Sequence, residues 1–595
     1  MFNLNITALK NAYKNNDTTP KELIHKLREQ ALTQKEYNTW ITLLEVSQLD
    51  EYLSYLDSKN IDELPLYGVP FAIKDNIDLA GVPTTAACPD FEYTPTANAF
   101  VVNQLIKAGA IPLGKTNLDQ FATGLVGMRS PYGEGVNAFN TDYISGGSSA
   151  GSAVSTALGQ VSFALGTDTA GSGRVPAALN NLIGHKPTKG LFSNTGLVPA
   201  CLSLDCITVF ALNTQDAALV THVAGQYDTK DSYARKNQPD NLLRYFEPAL
   251  PKDFTFGVPS ELEFNDNAET QALFEKTVSK LESLGGQKVE IDFSPFVTAA
   301  KLLYEGPWVA ERWIATKDVK RESMLPVIQT IIGSAEGKTA ADAFSAQYEL
   351  QSYKKICDAQ VNSVDFMLTP TCPTQFTREE LREEPIKYNS ILGTYTNFMN
   401  LLDYSATNIP VGLTSNGVSW GVTLFSHAFT DMKMLSYGGA LHQALDLPQG
   451  TSDFPLQKFE ETAVPSPTSH INVVVCGAHL EGFPLNWQLT ERGATLVDKT
   501  QSSDHYQLYA LPDGKRPAMI RDDEHGKAIT VEVWSMPMEF FGSFVAGIPA
   551  PLGIGKVELA DGSWQCGFMS EGNIISDAVN VTDFGGWAAY LASKA

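Results

Sequence analysis

A glycine-rich stretch at residues 145–177 carries the hydroxyl groups of this sequence that are best suited to nucleophilic chemistry. It holds several serines and threonines, and it contains no histidine and no cysteine. Gly171 and Gly173 flank Ser172, and glycines at such a turn allow backbone N–H groups to point at one spot, as in an oxyanion hole. Taken alone, each Gly/Ser cluster is more typical of a close-packed turn. A nucleophilic serine here needs a base from outside the stretch.

Apolar and periodic segments predict the elements that would position these serines. Residues 66–79 predict a short buried strand that runs into a polar loop, and residues 99–122 predict a helix, a strand and a second helix. The cluster at 146–160 predicts a flexible turn followed by a small-residue helix that can approach a sheet closely. The cluster at 165–177 follows an apolar run, which places it at the end of a strand. This alternation favours an α/β sheet enzyme.

Three motifs of this sequence resemble those of the amidase signature family: the two glycine-rich clusters and GVPFAIKD at 68–75. The resemblance covers roughly residues 20–445, and the spacing of the three motifs is highly specific. It implies a mixed β-sheet covered by helices and the hydrolysis of a C–N bond. It also implies a triad without histidine, with Ser172 as the nucleophile, Ser148 as the bridging serine held by a cis peptide, and Lys74 as the terminal base.

The chemistry of such a triad follows from its residue types. A serine hydroxyl is a poor nucleophile until a neighbour takes its proton. A lysine can take it only when neutral, and burial disfavours the charged form. A hydroxyl between the two can accept one proton while it donates another. A surface position for Lys74 and a Ser-His-Asp triad assembled from distant residues are the alternatives.

Residues around Ser172 have expected roles of their own. The backbone N–H groups that resemble the family's oxyanion hole are those of Thr169, Ala170, Gly171 and Ser172. Ala170 is a departure, because many family members have two glycines before the serine. We expect Ser149 to support the site, and we expect Asp168 and Arg174 to form a structural ion pair under the loop.

A tyrosine and an arginine within residues 299–313 indicate the kind of amide. Tyr304 and Arg312 are eight residues apart, about two turns of a helix, so both can lie on one face. Arginine can donate two hydrogen bonds to a small carboxylate. An amphipathic helix with a surface arginine is the alternative. This segment is similar to the corresponding one of allophanate hydrolases, where such a pair contacts the substrate, and so is 121–133, within which we expect Gly124 to contact the substrate.

A polar stretch with two prolines, KFEETAVPSPTSH, predicts a linker near residue 460. We therefore divide the chain into an amidase domain at 1–458, a linker at 459–470 and a C-terminal domain at 471–595. The last of these carries short apolar runs between Gly/Pro turns, which predicts a small α+β domain of ordinary size.

Two segments of the C-terminal domain, 475–489 and 567–574, look like the C-terminal domain of allophanate hydrolases, which is similar to the γ-glutamyl cyclotransferase fold. His479 follows a predicted strand in a Gly-containing loop, and it is the candidate to assist decarboxylation of the first product, with Glu571 as its partner. A purely structural role for this domain is equally open.

The resemblance over the full length implies hydrolysis of allophanate, a urea that carries a carboxylate. Ammonia and N-carboxycarbamate are the implied products, and the latter loses carbon dioxide, as part of urea degradation. We expect no cofactor, no metal and a homodimer. Allophanate comes from biotin-dependent urea carboxylation, and we expect that carboxylase on a separate chain. The biotin-like triplet Met432–Met434 lies in a predicted helix, which is the wrong setting for biotin attachment.

Composition argues against several other functions. The formal charge is −24, from 43 basic and 67 acidic side chains without a basic run, which disfavours nucleic acid and anionic membranes as partners. Seven scattered cysteines without a CxxC motif indicate reduced thiols in a cytoplasm and disfavour a structural zinc site. The first residues do not resemble a signal peptide, and no apolar run reaches the ~18 residues of a membrane-spanning helix.

Two other functions fit part of these observations. An amidase of different specificity, such as a glutamine-using amidotransferase A-type subunit, would keep the triad but would not carry residues 471–595. A catalytically inactive scaffold would be free to lose any of Lys74, Ser148 and Ser172, and all three are present.

Overall fold

The computed structural model of this protein describes residues 2–456 and 470–594. The linker predicted at 459–470 therefore lies, except for its last residue, outside the described residues. Within the two described ranges, no helix is both long enough and apolar enough to cross a bilayer.

The described residues form two compact units. The first unit draws on 1–237 and 245–459, and the second on 238–244 and 460–595. The assignment of 238–244 to the second unit differs from the predicted division, which placed this segment in the amidase domain. The segment contributes Pro239, which lies beside Gly493, and Arg244, whose guanidinium lies 5.9 Å from the centre of the Phe540 ring.

The first unit is built on one mixed sheet of eleven strands. In chain order its strands are β1 (Trp40–Leu43), β2 (Pro70–Lys74), β3 (Ile111–Thr116), β4 (Phe163–Asp168), β5 (Ile183–Lys186), β6 (Cys206–Ala211), β7 (Phe254–Pro259), β8 (Gly286–Ile291), β9 (Phe366–Pro370), β10 (Tyr404–Leu413) and β11 (Ser419–His427). Their order across the sheet is β1-β3-β2-β4-β6-β5-β10-β11-β9-β7-β8. Strand β2 is parallel to β3 and β4, whereas β4 and β6 are antiparallel. The predicted mixed α/β sheet is confirmed.

Fifteen α-helices accompany this sheet within the described residues. They are α1 (Ile6–Lys14), α2 (Pro20–Thr33), α3 (Val46–Ser54), α4 (Phe100–Lys107), α5 (Ala150–Ala157), α6 (Arg174–Leu179), α7 (Thr214–Ala224), α8 (Ala268–Ser283), α9 (Ser294–Lys301), α10 (Val309–Thr316), α11 (Pro326–Gly333), α12 (Ala340–Val361), α13 (Arg378–Glu383), α14 (Lys387–Leu392) and α15 (Asp431–Leu445). The triplet Met432–Met434 lies in the first turn of α15, as its sequence predicts.

The strands that position the candidate triad are buried along their whole length. All residues of β2 and β4 are buried, which suits central strands covered on both faces. Helix α5 is made of small residues and packs against both strands. At Gly151 an added Cβ would lie 2.1 Å from the carbonyl oxygen of Thr39, so only glycine allows this close approach.

The prediction of a second α-helix within 99–122 is wrong. Helix α4 and strand β3 form as expected, but the chain then enters an irregular loop in which Phe121 and Ala122 take left-handed φ values of 50° and 52°. Only a short 3₁₀ turn forms at Gln120–Ala122, and the Phe121 N–H donates to the carbonyl oxygen of Ala86 at 2.9 Å, so a distant segment satisfies this group in place of an α-helical hydrogen bond.

The second unit contains two smaller sheets. Its strands are β12 (His470–Val475), β13 (Thr495–Gln501), β14 (Tyr506–Ala510), β15 (Pro517–Arg521), β16 (Thr530–Pro537), β17 (Leu552–Glu558), β18 (Trp564–Ser570) and β19 (Val579–Asn580). Its α-helices in the described part are α16 (Trp487–Thr490), α17 (Met538–Ala546) and α18 (Trp587–Ala592). The sheets have the orders β13-β16-β12-β18-β17 and β15-β14-β19. This is the α+β organisation that the sequence predicts.

Candidate active site

Lys74 is the last residue of β2 and has no exposed surface. The apolar residues before it form a strand that is covered on both faces, so the strand carries the lysine into the interior. Its Nζ donates to Ser148 Oγ at 2.7 Å and to Thr167 Oγ1 at 2.6 Å. The structure therefore brings the expected terminal base and the expected bridging serine into contact, and it excludes a surface position for this lysine.

Ser148 follows a cis peptide bond, Gly147–Ser148, as the family resemblance implies. The Ser148 carbonyl oxygen accepts the N–H of Asp119 at 3.0 Å, and α5 begins two residues later. At Gly147 an added Cβ would lie 2.3 Å from Asp119 Oδ2 and 2.4 Å from the amide nitrogen of Gly127. The absence of a side chain at Gly147 is what lets the Ser148 turn reach this position.

Thr167 is a residue of the site that the sequence analysis missed. It lies on β4, which runs parallel to β2, and its hydroxyl is the second acceptor of the Lys74 amine. The Ser149 hydroxyl bridges the backbone N–H and carbonyl of Thr167, at 3.1 Å each. Ser149 thereby fixes the start of α5 to β4, which is the supporting role expected of it.

Ser172 lies in the turn between β4 and α6, and only 3% of its surface is exposed. Its hydroxyl donates to the carbonyl oxygen of Gly124 at 3.2 Å. Within the described residues, no hydrogen bond joins Ser172 to Ser148 or to a histidine. The structure thus assembles the Lys–Ser part of the predicted triad, while the expected nucleophile is held by another partner.

A buried ion pair supports the turn that carries Ser172. Arg174 donates from Nε to Asp168 Oδ2 at 2.9 Å and from Nη2 to Oδ1 at 3.0 Å, and neither side chain is exposed. Asp168 also accepts the N–H groups of Gly171 at 2.7 Å and Gly173 at 3.2 Å. The predicted structural ion pair is present, and it closes the turn around the serine.

The four N–H groups expected to form an oxyanion hole differ in their surroundings. That of Gly171 already donates to Asp168, which corrects the expectation for this residue. Those of Thr169, Ala170 and Ser172 donate to no protein acceptor in the described part of the chain. Three donors therefore remain free to meet an oxyanion.

Burial lowers the pKa of Lys74 to about 7, because a charged amine loses its hydration in the interior. The carboxylates of Asp119, Asp205 and Asp168 oppose this effect, and Arg312 adds to it. Near neutral pH a large fraction of the amine is therefore neutral and can accept a proton, as a general base must.

The side chains of Tyr304 and Arg312 are in contact, but the prediction that both residues lie on one helix is wrong. Tyr304 lies in the turn between α9 and α10, because Gly306-Pro307 interrupts the helix and proline has no N–H for a helical hydrogen bond. Arg312 Nη2 donates to the Tyr304 hydroxyl at 3.4 Å, and the guanidinium lies 5.6 Å from the ring centre. The turn thus brings the two side chains together, although the predicted shared helix does not form.

Arg312 is a buried cation without an anionic partner. It is 3% exposed, and its Nη1 donates to Thr123 Oγ1 at 2.9 Å and to the carbonyl oxygen of Ala122 at 3.5 Å. No carboxylate of the described residues lies within 4.0 Å of its guanidinium, and the buried Asp205 acts on it only from a greater distance. Because a buried charge is costly unless it is paired, this position suits a site that receives an anion.

The segment 122–124 connects the arginine to the serine. Thr123 accepts a hydrogen bond from Arg312, and the neighbouring Gly124 accepts one from Ser172. Consecutive Cα atoms are about 3.8 Å apart, so the cation and the nucleophile are within reach of one small molecule. Arg129 Nη1 donates to the carbonyl oxygen of Thr123 at 2.9 Å and helps to hold the segment in place.

The predicted pairing of His479 with Glu571 in the second unit is not present. Its Nε2 lies 3.0 Å from Gln488 Oε1, and its ring stacks on Phe568 at 4.9 Å between ring centres, whereas Glu571 is exposed. Burial lowers the pKa of His479. The imidazole lines a cavity of about 250 Å³ together with Gln488 and Arg516.

Comparison with known proteins assigns both parts of the chain. Residues 22–435 match the Amidase family, and residues 471–592 match the Allophanate hydrolase C-terminal domain. The chain is 44% identical over 598 aligned residues to the urea amidolyase of Lachancea kluyveri, covering 96% of this chain and 32% of that protein. It spans about a third of the length of the two urea amidolyases that it matches.

Solved structures agree with this assignment over nearly the whole chain. The Kluyveromyces lactis allophanate hydrolase superimposes with a TM-score of 0.74 and 41% identity, covering 98% of both chains. The K. lactis urea amidolyase gives a TM-score of 0.74 and 42% identity, covering 98% of this chain and 36% of the other. The chain therefore belongs to the amidase family and carries, after its amidase part, an allophanate hydrolase C-terminal domain.

Proposed function

We propose that this chain hydrolyses allophanate to ammonia and N-carboxycarbamate. The observation that carries the proposal is Arg312, a buried cation without an anionic partner, which segment 122–124 joins to the Ser172 hydroxyl. A substrate that fits must offer a carboxylate and an amide carbonyl a short distance apart. Allophanate has both, and the relatives named urea amidolyase and allophanate hydrolase support this choice.

The carboxylate binds at Arg312 and Tyr304. A guanidinium can donate two hydrogen bonds to one carboxylate, and the tyrosine hydroxyl adds a third donor. This contact holds the other end of the substrate, the terminal amide, against Ser172. Gly124 lies between the two ends and, with its neighbours, forms part of the wall of the site.

Acylation begins when the Ser172 hydroxyl leaves the carbonyl oxygen of Gly124 and donates to Ser148. Ser172 Oγ attacks the terminal carbonyl carbon, its proton passes to Ser148 Oγ, and the Ser148 proton passes to the neutral Lys74 amine. The N–H groups of Thr169, Ala170 and Ser172 stabilise the negative oxygen that develops. Lys74 returns its proton through Ser148 to the leaving nitrogen, and ammonia departs from an acyl-serine.

Water then attacks the acyl-serine, with the same relay as its base. The C–O bond to Ser172 breaks, the serine recovers its proton, and N-carboxycarbamate is released. This product loses carbon dioxide to give carbamate, which breaks down to a second ammonia. The overall products are ammonia and carbon dioxide or bicarbonate.

The C-terminal domain is proposed to assist that decarboxylation through His479. The cavity beside the imidazole is large enough for a small dicarboxylate, and Arg516, which is paired with Asp513, lies at its wall. Gln488 replaces Glu571 as the polar partner of the ring. A structural role for this domain is the competing proposal.

Carboxylation of urea yields allophanate, so we propose that the chain works together with a biotin-dependent urea carboxylase. We further propose that this carboxylase is a separate chain, that the hydrolase forms a homodimer, and that it acts in the cytoplasm. An amidase of different specificity is the second candidate function, and it is favoured only if substrates without a carboxylate are turned over equally well.

Replacing Arg312 by glutamine should separate these two candidates. The variant loses the ion pair to the substrate carboxylate, so kcat/KM for ammonia release from allophanate should fall roughly 30-fold or more. On the high-pH plateau, where Lys74 is neutral in both proteins, turnover of neutral amides should change little. The control is Arg321→Gln, an exposed arginine paired with Glu336, which should leave both activities unchanged. Equal losses for allophanate and for neutral amides would remove Arg312 from the substrate site.

The activity should depend on the protonation of Lys74. Below a pKa of about 7 the amine is charged and cannot accept a proton, so kcat/KM should fall about tenfold per pH unit on the acid side. Above that pKa the amine is neutral and kcat/KM should level off. The measurement is the rate of ammonia release from pH 6 to 9, and a flat profile would contradict the proposed base.

Substitution of His479 tests the second domain. His479→Ala should slow the release of carbon dioxide relative to the first release of ammonia, and Gln488→Ala should produce a smaller effect of the same kind. The release of ammonia and the release of carbon dioxide are both measured in one stopped-flow assay, under conditions in which decarboxylation limits the rate. An unchanged ratio for His479→Ala would leave the domain with a structural role.

A further inference from the structure

Asp119 is a buried carboxylate between the two loops of the candidate site. It lies just after β3 in the irregular loop and has no exposed surface. Its backbone N–H donates to the carbonyl oxygen of Ser148 at 3.0 Å. The backbone of Asp119 therefore anchors the turn that presents the bridging serine to Lys74.

The side chain of the same residue anchors the opposite loop. Asp119 Oδ2 accepts the N–H groups of Val126 at 3.2 Å and Gly127 at 3.0 Å, and Oδ1 accepts that of Arg129 at 2.9 Å. A Cβ added at Gly124 would lie 2.6 Å from Oδ2, so the carboxylate also abuts the residue whose carbonyl oxygen holds Ser172. One carboxylate thus fixes the course of residues 124–129.

The Asp119 carboxylate forms no ion pair with the described residues. Three backbone N–H groups are its partners, and no lysine, arginine or histidine of the described residues lies within 4.0 Å of it. The cations near it are Lys74, against which it acts as a counter-charge, and Arg129. Its negative charge is therefore available to act on the Lys74 amine.

We infer that Asp119 is a positioning residue of this site, which ties the Ser148 turn to segment 124–129 and supplies negative charge near the Lys74 amine. The inference rests on the proposed role of Lys74 as the base. When Lys74 accepts the proton that comes from Ser172, the new ammonium gains a favourable interaction with this carboxylate. The same charge keeps the amine basic enough to draw the proton through Ser148.

The negative charge of Asp119 raises the pKa of Lys74. Burial lowers the pKa of Lys74, and among the opposing carboxylates Asp119 has the largest effect, ahead of Asp205 and Asp168, while Arg312 acts with burial. Removing the charge of Asp119 should therefore lower that pKa further. A lower pKa moves the acid side of the kcat/KM profile to lower pH, and the weaker base reduces the rate on the plateau.

Asp119→Asn tests this inference in the full chain. The rate of ammonia release from allophanate should fall tenfold or more on the plateau, and the acid side of the kcat/KM profile should move by roughly half a pH unit or more to lower pH. The matched control is Asp228→Asn, another buried carboxylate outside the site, whose pKa stays below its usual value, against the effect of burial, because Thr195, Lys230 and Ser193 donate hydrogen bonds to it. The control should not move the acid side.

A second variant keeps the test decisive if Asp119→Asn does not fold. Asp119→Glu retains the charge but displaces the oxygens that hold segment 124–129, so kcat should fall tenfold or more while the acid side stays within error of the wild type. An unmoved acid side in Asp119→Asn, or an unreduced kcat in Asp119→Glu, would overturn the inference. No turnover of allophanate by the wild type would instead overturn the proposed function, and the inference with it.

Discussion

The site depends on a lysine amine that is kept out of water and held by two hydroxyl groups. Lys74 has no exposed surface, and Ser148 and Thr167 are its hydrogen-bond partners. Because burial brings its pKa to about 7, the amine can act as a base without help from a histidine. The surrounding structure serves this arrangement: β2 and β4 bury the lysine, and glycines allow the serine turns to approach it.

A second buried basic residue, Arg312, is the basis of the selectivity that we propose for the site. Arg312 lacks an anionic partner among the described residues, and the path from it to Ser172 runs through two neighbouring residues, Thr123 and Gly124. A carboxylate would neutralise the arginine and place the rest of a small substrate beside the serine. Burial therefore acts on the two basic residues in different ways: it favours the neutral form of the Lys74 amine, and it makes the Arg312 cation a favourable partner for an anion.

The sequence predicted the parts of the site that lie in short motifs. Lys74, Ser148 and Ser172 were assigned through the resemblance of three short motifs to the amidase signature family, and the strand and the glycine-rich turns that carry them could be predicted from local sequence. The contacts of Thr167 and Asp119 could not be placed, because they depend on strand pairing and on a loop whose backbone is satisfied by distant segments. For the same reason the helix predicted after β3 is absent, although its apolar spacing suits one. Tyr304 and Arg312 were expected to lie on one face of a single helix, whereas Gly306-Pro307 interrupts that helix and Arg312 Nη2 instead reaches the Tyr304 hydroxyl across the turn.

The central claim is that Lys74, Ser148 and Ser172 act as one proton relay. The most direct test is the rate of ammonia release from allophanate by the wild type, by Lys74→Met, Ser148→Ala and Ser172→Ala, and by the double variant Lys74→Met/Ser172→Ala. When catalytic groups act as a unit, the losses of activity caused by single substitutions do not add. Each single variant should therefore lose nearly as much activity as the double variant. Activity of Lys74→Met within tenfold of the wild type would contradict the account.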